Sequence, residues 1–100
     1  MPPRQRVAVT LPAGTSVAES IERVRWAEEN GYDDGWMADS GPPDSLTLMA
    51  GWPAHAPTLR LGIAVVPVYS RTPAVLAATA NTLGQLMPGQ VILGLGASSQ

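Results

Sequence analysis

The sequence predicts an α/β fold built on a parallel sheet, and three observations carry that reading. Four short runs are rich in apolar and β-branched residues, and helix-length segments separate them. Each run with its following segment takes roughly 28 to 30 residues, enough for a strand, a helix and two connections. Helix start and stop signals fall between the runs and not inside them. A β-α-β-α-β-α-β order at that spacing requires strands of one direction joined by right-handed crossovers.

The first strand is expected over residues 7–11, a β-rich run closed by Pro12 and Gly14. A helix over 17–30 follows. Ser16 with Glu19 three residues on forms a capping box, Val17, Ile21, Val24 and Ala27 share one face, and Gly31 supplies a left-handed stop. Residues 35–38 form a second short apolar strand that empties into the loop Asp39-Ser-Gly-Pro-Pro43. Asp44 caps a second helix over 45–50, whose continuation Gly51 and Pro53 oppose, so a kinked or two-piece helix ending near Pro57 is expected.

Residues 61–68 are almost continuously apolar, the pattern of a parallel strand covered on both faces, and Pro67 near the end removes a ladder donor. Thr72 as N-cap and Pro73 at the first helical position start a third helix. Its stripe is Leu76, Ala80, Leu83 and Met87, and Pro88-Gly89 ends it. A fourth strand over 91–95 runs into Gly94-Leu-Gly-Ala-Ser98.

Composition narrows the function classes. Six arginines, no lysine and eight carboxylates give a net charge of −2 with no basic run, which removes the electrostatic footprint of nucleic-acid binding. The absence of cysteine removes disulfides and thiolate metal sites; it fits a cytoplasmic protein and equally many exported ones. The N-terminal apolar stretch is too short for a signal-peptide core, and no run approaches the length of a membrane span. Only 14% of residues are charged, so part of the surface is expected to meet a neighbour.

Ligands of parallel α/β folds bind beyond the carboxyl ends of the strands, where the loops and helix N-termini collect. Four segments reach that rim: Pro12-Ala-Gly14, Asp39-Ser-Gly41, Val66-Pro-Val-Tyr-Ser-Arg71 and Gly94-Leu-Gly-Ala-Ser98. Asp39 is the carboxylate at the end of an apolar strand; it either faces a ligand or backbone donor there or opens an Asx-turn. Gly94 and Gly96 suit close approach by a ligand or neighbouring backbone, but their place at the fourth strand does not suit a dinucleotide fingerprint. Arg71, which could meet an anion but stands at a helix start where the dipole opposes it, is expected to hydrogen-bond loop carbonyls, His55 to be a surface or loop histidine with no metal partners, and Trp26, Trp36 and Trp52 to pack. No catalytic acid, base or nucleophile constellation is present.

The blocks "AEENGYDDGWMADS", "DSLTLMAG" and "LRLGIAVVPVYSRTPAVLAATANTLGQLMPGQVILGLGASS" resemble the bacterial luciferase-like flavin monooxygenase superfamily, and within it the branch that uses the deazaflavin coenzyme F420. The resemblance implies a partial (β/α)8 TIM barrel, with residues 1–100 as its N-terminal half. It implies an oxidoreductase using F420 or FMN for hydride transfer to, or oxygenation of, a small organic substrate.

By the same resemblance Asp39 contacts the coenzyme, and the third strand bulges behind the ring at a non-proline cis peptide aligned with Ala64-Val65. Val66 follows the bulge, and Gly94 and Gly96 keep the fourth strand open beneath the ligand. The chain departs from relatives at Ser40, where they commonly carry His, and over residues 82–90, where they read "TLDELSGGR". The alternative expectation is a catalytically incomplete half-barrel that persists by self-association; either way a homo-oligomer is expected, since the outer strands of such a half present unpaired edges.

Overall fold

The computed structural model describes residues 5–12, 14–39 and 41–97. The elements are β1 (Ala8–Thr10), α1 (Val17–Glu29), β2 (Asp34–Met37), α2 (Ser45–Gly51), a 3-10 turn (Trp52–Ala54), β3 (Arg60–Pro67), α3 (Pro73–Leu86) and β4 (Val91–Gly96). β1 is shorter than its apolar run, yet the run's ends are tied to β2: Asp33 N donates to the Val7 carbonyl and Leu11 N to the Trp36 carbonyl, both at 2.8 Å. β2 and β3 each begin one residue earlier than expected, at Asp34 and Arg60, whose side chains meet.

Helix boundaries follow the cap chemistry. Ser16 Oγ accepts from Glu19 N at 3.1 Å, while the Glu19 carboxylate returns to Thr15 N and Oγ1, one residue ahead of the expected box. Asn30 closes α1 and Gly31 follows at φ 77°. Val17 was expected on the buried face but is 50% exposed. It sits in the first turn, and burial begins a turn later with Ser20, Val24 and Ala27. The second helix breaks where Gly51 and Pro53 oppose it, into α2 and the 3-10 turn. Thr72 Oγ1 accepts from Val75 N at 3.2 Å to start α3, which runs through Gly84 to Leu86.

All four strands are parallel and their spatial order is sequential, β1-β2-β3-β4. Sequential order with crossovers of one hand stacks every helix on one face of the sheet. A doubly wound dinucleotide fold needs a reversal of strand order, and the strands among the described residues have none. The sheet is not closed.

Register sorts the side chains between the two faces. Gly35, Met37, Leu61, Ile63, Val91 and Leu93 fall in one row by pairing, toward the helices. Met37, Leu61 and Ile63 are buried with Val24, Ala27, Leu46, Met49, Trp52, Leu76 and Leu83 in one core, against which Val91 and Leu93 pack. The opposite face carries Thr10, Trp36, Gly62, Ala64, Ile92 and Gly94. Trp36 lies across Gly62 so closely that a β-carbon there would meet its ring at 2.6 Å. Trp26, expected to pack, is 47% exposed and tilts against Tyr32 at 5.5 Å between ring centroids. At the amino end, Asp34 is buried between Arg6 at 2.6 Å and Arg60 at 2.8 Å. No helix among the described residues is long and apolar enough to cross a membrane.

Candidate functional site

Two features meet at the carboxyl end of the sheet. The first is a shelf on the face away from the helices. The pairing of β3 with β4 shifts register between Ala64 and Val66, and the Ala64–Val65 peptide is cis, at the position the resemblance implied. Within that irregularity Ala64 and Val65 are successive exposed residues, although successive side chains of a regular strand alternate between faces. Gly94 pairs with Ala64, and a β-carbon on Gly94 would come within 3.1 Å of the Ile63 carbonyl. A β-carbon on Gly96 would meet the Val65 side chain at 3.4 to 3.5 Å, ordinary contact. Ala64, Val65, Gly94 and Gly96 therefore form a floor of backbone and small side chains. Val66, expected with them, is fully buried and belongs to the core on the helix side. The extra residue of the bulge turns it there.

The second feature is a cleft of about 540 Å³ lined by Asp39, Gly41, Pro42, Asp44, Ser70 and Arg71, with Pro67 at its margin. Pro67 pairs with Gly96, so cleft and shelf adjoin. Asp39 stands two residues beyond β2. Its Oδ1 accepts from Ser45 Oγ at 2.6 Å and its Oδ2 from Arg71 Nη1 at 2.8 Å. Arg71 was expected to serve loop carbonyls; its guanidinium instead bridges two carboxylates, with Nη2 on Asp44 Oδ1 at 2.6 Å and Nη1 also near Ser70 Oγ at 3.2 Å. Carboxylates outcompete neutral carbonyls for a guanidinium because both partners are charged. Asp44 uses its other oxygen as the cap of α2, accepting from Thr47 N at 3.0 Å and Thr47 Oγ1 at 2.6 Å.

The electrostatics follow from these contacts. The hydrogen bond to Asp39, reinforced by both carboxylates, raises the Arg71 pKa further above its ordinary value. The Thr47 hydroxyl, the Thr47 N–H and Arg71 hold the Asp44 carboxyl below the usual carboxylate range. One cation faces two anions, so the cleft carries a formal surplus of negative charge. Each Asp39 oxygen accepts one hydrogen bond among the described residues and has a second lone pair, so a ligand group meeting it would be a hydrogen-bond donor.

The structure thus gathers Ala64, Val65, Gly94 and Gly96, places Asp39 in a cleft that reaches Pro67, the partner of Gly96, and separates Val66. Ser40 and Ser98 lie outside the described residues. His55 stands apart from the rim, with Nδ1 at 2.9 Å from Arg25 Nη2. Among the described residues no cluster of His, Cys, Asp and Glu could hold a metal ion. Sequence reasoning missed Ser45 and the pairing role of Arg71. The available signal was that the connections after the second and third strands share one rim and carry opposite charges.

A sequentially ordered parallel sheet with helices on one face and an open rim defines the class of single-wound β/α folds. The luciferase-like monooxygenase family model matches residues 1–100, and the chain belongs to that family. It is 39% identical over 77 residues to a Mycobacterium tuberculosis protein described as a coenzyme F420-dependent oxidoreductase, covering 77% of this chain and 22% of that one. In fold it is similar to the coenzyme F420-dependent tetrahydromethanopterin reductase of Methanopyrus kandleri, with a TM-score of 0.81, 20% identity, and coverage of 94% of this chain and 27% of the other. It is likewise similar to the oxygenating constituent of 3,6-diketocamphane monooxygenase from Pseudomonas putida, a type II Baeyer-Villiger monooxygenase in complex with FMN. There the TM-score is 0.82 at 17% identity, covering 95% of this chain and 30% of that one. The chain spans about a quarter of the length of these relatives.

Proposed function

We propose that the shelf and cleft hold one ring system, the flavin-type ring of F420 or FMN, and that the chain forms part of a cytoplasmic oxidoreductase acting on a small organic substrate. The observation that carries this reading is the juxtaposition of a flat floor of Ala64, Val65, Gly94 and Gly96 with the acceptor Asp39, joined through the Pro67–Gly96 pair. A planar ring needs an apolar floor with few projecting side chains; the glycines on the open face of β4 keep it low, and Val65 is its branched side chain. Its polar edge needs an acceptor at one side, which Asp39 supplies. The names of relatives that use F420, and of a neighbour in complex with FMN, support both coenzymes.

When bound, the coenzyme supplies hydride transfer or oxygen activation, and the protein contributes binding, orientation and exclusion of water. In that division of labour Val65 and Gly96 support one face of the ring, Asp39 takes a donor on its edge, and no residue of the chain is assigned as acid or base. A titration of the 100-residue chain with FMN and with F420, followed by fluorescence, tests the reading. Saturable binding of either at micromolar concentration is expected. Gly96→Ala raises the floor by one methyl that Val65 accommodates, so it should weaken binding about tenfold while leaving the unfolding midpoint in place. Failure of both coenzymes to saturate would overturn the proposal.

A second reading concerns assembly and rests on a separate observation. The outer sides of β1 and β4 have no strand partner among the described residues. Beside β4 lies a mostly apolar groove of about 370 Å³, whose lining includes Leu76, Ala80, Leu93 and the exposed Leu95 together with Arg71. These features favour self-association of the 100-residue chain.

A further inference from the structure

We infer that Arg71 is the positioning residue of this site: its guanidinium fixes the Asp39 carboxylate at the margin of the shelf. The inference rests on the reading that Asp39 meets the coenzyme. Asp39 lies in a connection with no regular hydrogen-bond ladder of its own, between the end of β2 and the start of α2. Its side chain, 9% exposed, is held from two sides. Ser45 Oγ grips Oδ1 from the first turn of α2, and Arg71 Nη1 grips Oδ2 from the loop between β3 and α3.

Ser45 opens α2 six residues after Asp39, so its bond is local. Arg71 is 32 residues away in sequence and anchors the carboxylate to the end of β3, the strand that carries Ala64 and Val65. The guanidinium therefore fixes the separation between the acceptor and the floor, the dimension a rigid ring would measure. Its second arm on Asp44 fixes the α2 cap at the same time, so the fork spans both anions where an ammonium could approach one. Without the cation, Asp39 and Asp44 would face each other as like charges around one cleft.

The alternative is that Arg71 merely ties two loops together. A double-mutant cycle on coenzyme affinity separates the two. Arg71→Met is expected to weaken FMN or F420 binding about tenfold. Asp39→Asn should weaken it at least as much, and Arg71→Met with Asp39→Asn no more than Asp39→Asn alone. Arg71→Lys should recover part of the loss. Losses that add in full, or wild-type affinity in Arg71→Met, would overturn the inference. Should Arg71→Met fail to fold, Arg71→Lys combined with Asp39→Asn completes the same cycle.

A second measurement needs no coenzyme. In proton NMR the Arg71 Nη–H signals of the wild-type chain should be resolved and slow to exchange, and Asp39→Asn should collapse the Nη1 pair while Asp44→Asn collapses the Nη2 pair. Averaged Nη–H signals in the wild type would overturn the positioning role. Absence of coenzyme binding combined with resolved signals would overturn the proposed function and leave the clamp standing.

Discussion

Asp34 and Asp39 bracket one four-residue strand, and their surroundings are electrical opposites. At the amino end Asp34 answers two arginines, Arg6 and Arg60, whereas at the carboxyl end Arg71 answers two aspartates. The hydrogen bond from Arg6, then that from Arg60, holds the Asp34 carboxyl below its usual range despite the opposing effect of burial. Its folded-state value is lower than its unfolded value of about 3.9, so its stabilisation is present above that pH and is lost as pH falls through the folded value. Urea midpoints should therefore drop as the pH is taken below about 4. Asp34→Asn should lower the midpoint at neutral pH and make the acid dependence shallower. Asp44 is lowered too, so part of the dependence should survive in that variant. Equal acid slopes in the two proteins would show that Asp34 contributes nothing to the pH response.

Among elements, the broken second helix shows what sequence patterns hold and what they omit. Gly51 and Pro53 announced the break, and the chain obeys it. Trp52, between them, packs as expected at 1% exposure, but no pattern announced an indole N–H with no hydrogen-bond partner among the described residues. A buried, unpaired donor costs roughly 1–3 kcal/mol, while the ring itself fills core volume. Trp52→Phe should consequently unfold within about 1 kcal/mol of the wild type, and Trp52→Ala should lose about 3–5 kcal/mol, both read by denaturant melts. A Trp52→Phe as damaging as Trp52→Ala would mean that the N–H has a partner. The strands, helices and caps were legible for the same reason as the break: each is written in a few adjacent residues. The shelf became legible through the family resemblance. Local patterns did not reveal that Val66 would turn to the core, because a register shift depends on the partner strand. Nor did they reveal the Arg71 bridge, whose ends lie on different connections and meet once β2 and β3 have paired.

At the scale of the whole molecule, the unclosed sheet leaves backbone donors and acceptors along the outer sides of β1 and β4 with no strand among the described residues to satisfy them. In sedimentation velocity the 100-residue chain should shift to larger species as its concentration rises, and a charged substitution at the exposed Leu95 should reduce that shift. A monomer throughout the series would remove the second reading. The sequential strand order has a different outcome, one that concerns the path by which the chain acquires its shape. Every strand is laid beside the one made just before it, so no pairing must wait for a distant part of the chain, and loop closure is much the same at each step. A nascent polypeptide could set down this sheet in the order of its synthesis, with β3 gaining the seat between two neighbours as soon as β4 arrives.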